Sequence, residues 1–292
     1  MRIAIYGRPN RGQTLDCALQ LTTLLEREGL HWSVSDKLGE MMARTGRKLP
    51  SDCIFMPDSG LPEKTDLLIS LGGDGSILDA VAMSAQRGIP VAGVHTGRLG
   101  FLATIAFSGI EDMVRRLHRW DFRIEERSLL HLEDPKDFFD GRNFALNEFA
   151  LMKRDSSSMI TVHTFLNGEY LNSYWADGLI TATPTGSTGY SLSCGGPIIH
   201  PLSSSFVITP VSPHNLNVRP LVVPDGSVIS FEMEGRAKKA LISLDTRSRS
   251  VDITEKFEVR LSRIKARLLR LPQDNFVDTL RNKLYWGADL RN

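Results

Sequence analysis

The sequence predicts an α/β domain followed by an all-β domain. In the first 120 or so residues, short apolar runs alternate with segments of helical spacing, which indicates a mostly parallel sheet covered by helices. From about Phe122 to Leu271, helical spacing largely disappears and short strand-like runs alternate with stretches rich in Gly, Pro, Asn and Asp, as in a β-sandwich. The length of 292 residues suits about two domains.

The α/β part is predicted from its apolar periodicity. The expected elements are, in order, a strand at Ile3–Tyr6, a helix ending at Gly29, a strand at Leu67–Leu71, a helix closed by Gly88, a strand at Ile89–Val94 and a helix over Ile110–Leu117.

The β part and the tail complete the domain assignment. The strand candidates are Ser128–Leu132, Ile160–Phe165, Ser227–Met233 and Phe257–Leu261. Phe276, Leu280 and Leu284 recur every four residues and predict a short helix that packs back on the first domain. We therefore expect an α/β domain at 1–121, completed by 272–292, and a β-sandwich domain at 122–271.

Composition narrows the function to small-molecule chemistry. The 35 basic and 34 acidic residues nearly cancel, which favours neither a nucleic-acid partner nor a polybasic membrane contact. No apolar run reaches the roughly 18 residues of a membrane-spanning helix. The three cysteines form no C-x-x-C pair and the seven histidines no H-E-x-x-H motif, so we expect no metal-binding residues and a reducing, cytoplasmic location.

A glycine-rich segment, Gly72–Gly75, lies between a predicted strand and a predicted helix. Glycines and a helix N-terminus there suit a phosphate. The acid inside the segment, Asp74, would repel a phosphate unless it takes a proton from a hydroxyl or helps to hold Mg²⁺. The alternative is an ordinary strand-to-helix turn in which Asp74 is the N-cap.

A second segment, Asp177–Pro197, carries too many hydroxyls and glycines for a core strand. Its hydroxyl groups, at Thr185, Ser187, Thr188, Ser191 and Ser193, suit hydrogen bonds to ribose, phosphate or adenine, and its tyrosine suits stacking. The alternative is a polar surface loop, although loops of this length are usually functional or disordered.

The third segment is the pair Asn147–Glu148, which interrupts an otherwise apolar strand. An amide beside a carboxylate suits a ribose diol or an adenine edge. A β-bulge at a sheet edge explains the same pattern.

Together these segments resemble the NAD kinase family. The G-G-D-G element, the N-E pair and the long D-G-L-I-x-A-T-P-T-G-S-T-x-Y-S-L-S-x-G-G-P element occur in the family's order. Further similar elements are Val94–Leu102, Pro213–Leu221 and the tail Leu280–Gly287, so the resemblance spans nearly the whole chain.

The resemblance implies transfer of a phosphoryl group from ATP, or from polyphosphate, to the 2′-hydroxyl of the adenosine ribose of NAD, in a cleft between the two domains, with a divalent cation such as Mg²⁺. It implies Asp74 as the catalytic base. The residues that it implies for nucleotide binding are Asp74, Gly75, Asn147, Glu148, Trp175, Asp177, Thr188, Gly189, Tyr190, Ser191, Leu192, Ser193 and Arg247. It also implies a homodimer or homotetramer in which Asp177 serves a site completed by a neighbouring subunit.

Three positions depart from the family pattern. His95 replaces the usual Asn, Ser76 replaces a common Thr, and Gly189 replaces a common Ala. Two alternative functions stay open from the residues: a lipid kinase of the same superfamily, which has no need of Asp177–Pro197, and a non-catalytic NAD-binding regulator, which has no need of Asp74. An NADP-dependent oxidoreductase lacks its G-x-G-x-x-G fingerprint here.

Overall fold

The computed structural model of the chain describes residues 1–8, 12–154 and 159–286. Residues 287–292, which belong to the predicted tail, lie outside the described residues. The chain divides into two compact units. Unit 1 comprises Met1–Glu126 and Ala266–Asn292, and unit 2 comprises Arg127–Lys265.

The described chain forms strands and helices in the following order. The strands are β1 (Arg2–Gly7), β2 (His31–Ser35), β3 (Ile54–Phe55), β4 (Leu67–Leu71), β5 (Val91–His95), β6 (Ile105–Ala106), β7 (Arg123–Asp134), β8 (Phe144–Ala145), β9 (Glu148–Lys153), β10 (Ile160–Leu166), β11 (Glu169–Ala176), β12 (Gly178–Ala182), β13 (Ser205–Val211), β14 (Leu221–Pro224), β15 (Ile229–Gly235), β16 (Lys239–Leu244), β17 (Arg247–Asp252) and β18 (Phe257–Arg270). The helices are α1 (Gly12–Arg27), α2 (Asp36–Arg44), α3 (Asp74–Ser84), α4 (Ile110–Arg119), α5 (Tyr190–Ser193) and α6 (Phe276–Leu284).

Unit 1 contains a parallel sheet in the order β5–β4–β1–β2–β3. All five residues of β4 are buried, as expected for a strand in a parallel sheet that is covered on both faces. A core of side chains from α1, α4 and the strands packs against this sheet. The carboxyl end of β4 leads directly into α3, and this junction positions the glycine-rich segment.

Unit 2 is a sandwich of antiparallel sheets. One sheet has the order β14–β13–β12–β9–β16–β17, and the other pairs β11, β10, β15 and β18. The inward-facing side chains form one continuous core. Phe149 of the first sheet stacks on Phe231 of the second, with ring centroids 5.3 Å apart, so the core joins the two sheets.

The structure confirms the predicted fold class, an α/β unit and a mostly β unit. It corrects the interpretation of the long glycine- and hydroxyl-rich segment. Residues Gly178–Ala182 form β12, a fully buried strand hydrogen-bonded to β9 and β13. Thr181 carries the only hydroxyl group of this strand, and the other four residues are small or aliphatic. This composition is suited to burial. The part of the motif outside regular strands begins at Thr183.

Candidate active site

The glycine-rich segment makes a tight turn between β4 and α3. Gly72 has a φ of 145°, which strongly favours glycine. A Cβ at Gly72 would lie 2.4 Å from Ser76 Oγ, so the turn leaves no room for a side chain. The Gly72 N–H donates to the carbonyl of Val94 at 2.9 Å. The turn is therefore fixed beside the end of β5, where the backbone amides at the start of α3 lack helical partners.

The Asp74 carboxylate is held by the backbone of a neighbouring loop. Its Oδ2 accepts the N–H of Phe101 at 2.9 Å, and its Oδ1 accepts those of Leu102 and Ala103, each at 3.0 Å. The loop approaches so closely that a Cβ at Gly100 would lie 2.0 Å from Asp74 Oδ1. A glycine at this position is thus a condition for the observed placement of the carboxylate.

These contacts decide between the two interpretations of Asp74. Gly73, not Asp74, occupies the N-cap position of α3, and no side chain caps the helix there. A carboxylate offers about four lone-pair directions, and the three amides occupy three of them. One direction remains on Oδ2, where a hydroxyl O–H can donate a hydrogen bond. Asp74 is therefore an oriented acceptor with room for one further donor.

A polar cavity with a volume of ≈ 600 Å³ adjoins this turn in unit 1. Backbone of the glycine turn, hydroxyl groups and two arginines line it: Arg8, Thr14, Gly72, Gly73, Gly75, Ser76, Thr96, Gly97 and Arg98. Among the described residues that line it, none has an acidic side chain. Positive charge, amides and hydroxyls are the groups that bind phosphate oxygens.

Arg8, directly after β1, lines this cavity and is held in place by Asp79. Its guanidinium Nε and Nη2 lie 2.7 and 2.6 Å from Asp79 Oδ2, an oxygen that also accepts the Tyr6 hydroxyl at 2.9 Å. Burial, together with the Asp79 charge, raises the pKa of Tyr6 to about 12, so this hydroxyl stays protonated. The remaining Nη1 lies 4.0 Å from the position of a Cβ on Gly75. The guanidinium thus faces the glycine turn.

His95, one of the departures from the family pattern, lies at the end of β5. Its Nδ1 is 2.9 Å from the carbonyl oxygen of Gly97. The imidazole therefore supports the turn that carries Gly97 and Arg98 into the cavity.

In unit 2, Asn147 ends the bend between β8 and β9, and Glu148 begins β9. Asn147 Oδ1 and Glu148 Oε2 are buried, and neither has a hydrogen-bond partner among the described residues. Burial raises the pKa of Glu148 to about 8, and the negative charge of Asp245 adds to the rise. Buried polar atoms without partners are uncommon and costly. Two such oxygens on adjacent residues indicate a ligand with two donors.

The long motif packs directly on this pair. A Cβ at Gly186 would lie 2.1 Å from the carbonyl oxygen of Asn147, and a Cβ at Gly189 would lie 3.3 Å from both Asn147 Nδ2 and Glu148 Oε2. The Thr183 N–H donates to the Asn147 carbonyl at 2.8 Å. Glycine at 189, where the family commonly has Ala, therefore leaves extra room beside the unpartnered oxygens.

The hydroxyl groups of this motif mostly bond within the protein. Ser187 Oγ donates to the Pro184 carbonyl at 2.7 Å, and Ser191 Oγ is 2.8 Å from Thr209 Oγ1. Both serines are fully buried. Thr188 Oγ1 donates to the carbonyl of Thr185. Arg127 donates to Thr185 Oγ1 at 3.0 Å. These hydroxyl groups therefore bond within the protein in these conformations, whereas Tyr190 is 41% exposed. Hydrogen bonds from the motif to a ligand stay a prediction.

Trp175 and Asp177 lie around the junction of β11 and β12. The Asp177 carboxylate is 2.6 Å from Lys153 Nζ, an ion pair that the sequence did not indicate. Trp175 is 46% exposed and its ring lies 4.2 Å from that of His214. Burial, followed by the charges of nearby groups that include Asp177, raises the pKa of Tyr190.

Arg247 begins β17 and is held at the bend. Its guanidinium donates to the carbonyls of Arg142 and Phe144 and lies 5.7 Å from the rings of Phe139 and Phe144. Unit 2 thus brings Asn147, Glu148 and the Gly186–Gly189 segment together. Asp74 and Gly75 are in unit 1, and all other predicted site residues are in unit 2.

Sequence reasoning missed several residues that shape these sites. Arg8, Asp79, Lys153 and Asp245 belong to none of the sequence motifs, and each contacts a partner tens of residues away. Only the charged residue directly after an apolar strand, as at Arg8, offers a weak signal. No group of three or more metal-ligating side chains is present in residues 1–8, 12–154 and 159–286. Within the same ranges, no helix is long and apolar enough to cross a membrane.

Comparison with known proteins assigns the family. The model of the ATP-NAD kinase N-terminal domain matches residues 3–122, and that of the ATP-NAD kinase C-terminal domain matches residues 146–271. The chain belongs to the NAD kinase family. It is 46% identical to the NAD kinase of Cytophaga hutchinsonii and 41% identical to that of Flavobacterium psychrophilum, with 100% of each chain covered.

Solved structures of NAD kinases share the fold. The crystal structure of yeast NADH kinase complexed with NADH matches with a TM-score of 0.85 and 25% identity, covering 100% of this chain and 89% of the yeast chain. An NAD kinase from Archaeoglobus fulgidus matches with a TM-score of 0.74 and 24% identity, covering 97% of this chain and 99% of that one. The family resemblance of the sequence is confirmed, and the chain is a phosphotransferase with NAD kinase activity.

Proposed function

We propose that this NAD kinase transfers the terminal phosphoryl group of ATP to the 2′-hydroxyl of the adenosine ribose of NAD and so forms NADP. One observation carries the proposal. The Asp74 carboxylate is fixed by three amides, keeps one acceptor direction, and lies between two glycines that line a cationic cavity. That combination serves an acceptor hydroxyl and a phosphate donor together.

The donor phosphates occupy the cavity of unit 1 in this proposal. Its volume of ≈ 600 Å³ lies in the range of small-molecule sites. The amides of Gly72–Gly75 and the guanidinium groups of Arg8 and Arg98 neutralise phosphate oxygens. Phosphoryl transfer needs positioning and charge neutralisation more than covalent chemistry, and these groups supply both.

Asp74 acts as the general base. As the 2′-oxygen attacks the γ-phosphorus, its O–H bond breaks and the proton passes to Asp74 Oδ2. The bond between the γ-phosphorus and the β–γ bridging oxygen breaks, and ADP leaves with the electron pair. The amides on Asp74 hold the carboxylate in place while the proton moves.

NAD binds to unit 2 in this proposal. Asn147 Oδ1 and Glu148 Oε2 accept hydrogen bonds from the ribose hydroxyls, which accounts for two buried oxygens without partners. The segment Thr188–Ser193 contributes backbone, the Leu192 side chain and the exposed Tyr190 ring. Trp175, Asp177 and Arg247 provide further contacts.

A divalent cation, Mg²⁺, accompanies the donor. The described residues contain no cluster of ligands that would hold it alone, which fits a cation that keeps several waters and binds mainly through substrate phosphates. Among the described residues of the glycine turn, Asp74 carries the carboxylate, and its one open acceptor direction would serve either a water of the hydrated cation or the acceptor hydroxyl. When bound, Mg²⁺ would neutralise charge on the phosphate oxygens.

Self-association belongs to the same proposal. We expect a homodimer or homotetramer in which Asp177 serves a site shared with a second subunit. Exposed apolar side chains in unit 2, at Trp175, Leu216, Leu221 and Val222, support an interface.

A donor panel tests the proposal. The purified protein is incubated with NAD and Mg²⁺ together with ATP, inorganic polyphosphate or no donor, and NADP is measured by chromatography. We expect NADP with ATP and none without a donor. Failure to form NADP with either donor, from a folded protein, would contradict the assignment of substrate and donor.

A further inference from the structure

The turn between β16 and β17 reaches the proposed ribose site through one side chain, Asp245. Its Oδ2 accepts the N–H of Leu146 at 2.8 Å, and its Oδ1 accepts those of Asn147 at 2.8 Å and Glu148 at 3.2 Å. In return, the Asp245 N–H donates to the Glu148 carbonyl at 3.1 Å. One carboxylate therefore fixes the three consecutive residues that carry the two unpartnered oxygens.

The backbone explains why an acidic residue is suited to this place. Leu146 and Asn147 form a bend between two strands, so their amides lack a sheet partner. Asp245 has a φ of 53°, a left-handed conformation that Asp tolerates better than most residues. This conformation directs the Asp245 carboxylate toward the bend, where it accepts hydrogen bonds from all three amides.

We propose that Asp245 is a positioning residue for NAD binding, which fixes the bend at Leu146–Glu148 and, through its charge, links NAD binding to the release of a proton from Glu148. This inference rests on the proposed ribose-binding role of Asn147 and Glu148. It assigns to Asp245 a task in binding without contact with the ligand.

The hydrogen bonds of the Asp245 and Glu148 carboxyl groups indicate which of the two holds a proton at neutral pH. Burial raises the pKa of Asp245, and the three amides and the Arg247 charge oppose the rise. Glu148 has no donor on Oε2, and burial with the Asp245 charge raises its pKa to about 8. Asp245 is therefore the group that ionises first, and Glu148 holds the proton at neutral pH.

Other charged or titratable groups near the pair do not reverse this order. Arg247 on β17 acts on Asp245, and Tyr190 on α5 is a neutral phenol whose pKa is raised, first by burial. A ribose diol brings two O–H donors to Asn147 Oδ1 and Glu148 Oε2. A neutral carboxyl group accepts only through its carbonyl oxygen, whereas a carboxylate accepts stronger, charge-assisted hydrogen bonds. NAD binding should therefore favour the ionised form of Glu148 and release up to one proton at pH 7, and affinity should rise with pH until about 8.

Calorimetry of NAD binding in buffers of different ionisation enthalpy tests the proposal on the full chain. We expect release of up to one proton per NAD at pH 7 from the unmodified protein and almost none from Glu148→Gln. Asp245→Asn should bind NAD roughly tenfold or more weakly, because one amide then faces an N–H donor. Its pH midpoint for NAD affinity should fall by about one unit, because the like charge is gone.

Asp252→Asn is the matched control. Asp252 ends β17 in the same hairpin and also accepts a backbone amide, from Thr254, but it is exposed and outside the site. It should leave both affinity and midpoint unchanged. Where Asp245→Asn does not fold, Asp245→Ser, which removes the charge and keeps an acceptor, takes its place with the same expectations.

The outcomes separate this inference from the proposed function. An unchanged affinity and midpoint in the Asp245 variant, or no proton release from the unmodified protein that still makes NADP, would overturn the inference alone. An unmodified protein that neither binds NAD nor makes NADP would overturn the proposed function instead.

Discussion

At the scale of single residues, Asp74 is tied to its surroundings more tightly than a free general base. Three backbone amides of the loop Gly100–Ala103 depend on its two oxygens. In Asp74→Asn an NH₂ group replaces one carboxylate oxygen, and its N–H would face a backbone N–H of this loop. A substitution at Asp74 therefore alters loop geometry as well as proton transfer, and two variants are needed to separate the effects.

Asp74→Asn should lower kcat by about 10²–10⁴-fold, since the general base is lost. We also expect a lower Tm, since one amide bond of the loop is lost. NAD affinity, measured by calorimetry, should change little, because Asp74 accepts the 2′-hydroxyl proton as transfer proceeds and the other proposed NAD contacts are in unit 2. Turnover close to that of the unmodified protein would show that Asp74 is not the base.

Gly100→Ala tests the position of the same carboxylate without removing it. The added Cβ would meet Asp74 Oδ1 at 2.0 Å, so the carboxylate must move, and we expect kcat to fall by roughly 100-fold. Gly226→Ala is the control, because its Cβ would enter open space. Equal kinetics for the two variants would show that the observed placement of Asp74 is unimportant.

Arg8→Ala should raise KM for ATP by about tenfold or more, because a charge-assisted hydrogen bond to phosphate contributes about 1.5–3 kcal/mol. KM for NAD should change much less. Arg115→Ala, which removes an exposed ion pair with Asp112 on α4, is the control for loss of charge. A uniform effect on both substrates would argue against a phosphate contact by Arg8.

The raised pKa of Glu148 also leads to a prediction of how the free energy of unfolding depends on pH. Its pKa is raised from 4.5 to about 8 in the folded chain, so the folded chain binds the proton more tightly than the unfolded chain. The free energy of unfolding should therefore decrease as pH rises from about 4.5 to 8. Glu148→Gln should flatten this decrease in urea titrations at pH 5.5 and 8, and an unchanged slope would contradict the assigned pKa.

At the scale of elements, strand and turn geometry explains what the sequence did and did not predict. The amphipathic helices and the apolar strands β4 and β10 follow from their spacing, because each buries one face or both. Asp245 and Asp79 could not be predicted, because their partners are distant in sequence and meet them only after folding. The strand Gly178–Ala182 was misjudged because it is continuous with a segment of loop composition.

The motif after β12 should be intolerant of even one methyl group. In Gly186→Ala the added Cβ would lie 2.1 Å from the Asn147 carbonyl, so the segment must withdraw from the proposed ribose site. We expect loss of NAD affinity with a far smaller effect on ATP binding, as measured by calorimetry, and no effect from Gly226→Ala. Unchanged NAD affinity would separate this segment from the NAD site.

At the scale of the whole molecule, unit 1 is proposed to bind the donor phosphates and to supply the general base, and unit 2 to bind NAD. The cationic cavity and Asp74 are in unit 1, and the unpartnered pair and its supporting turn are in unit 2. Variants in unit 1 should accordingly alter the use of ATP, and variants in unit 2 the binding of NAD. The sequence indicated both groups through its motifs, but the acceptor geometry of each required the structure.

The proposed assembly is tested by light scattering at micromolar concentration. An oligomer is expected to have two or four times the chain mass of 32.5 kDa, and its activity should fall on dilution below its dissociation constant. A monomer that makes NADP at full rate would contradict a site completed by a second subunit.

The most direct test of the central claim is a ³¹P NMR spectrum of the reaction of the purified protein with NAD, ATP and Mg²⁺. We expect a phosphomonoester on the 2′-position of the adenosine ribose that appears in step with ADP. ADP accompanied by inorganic phosphate alone, or a phosphomonoester at any other position, would contradict transfer to the 2′-hydroxyl.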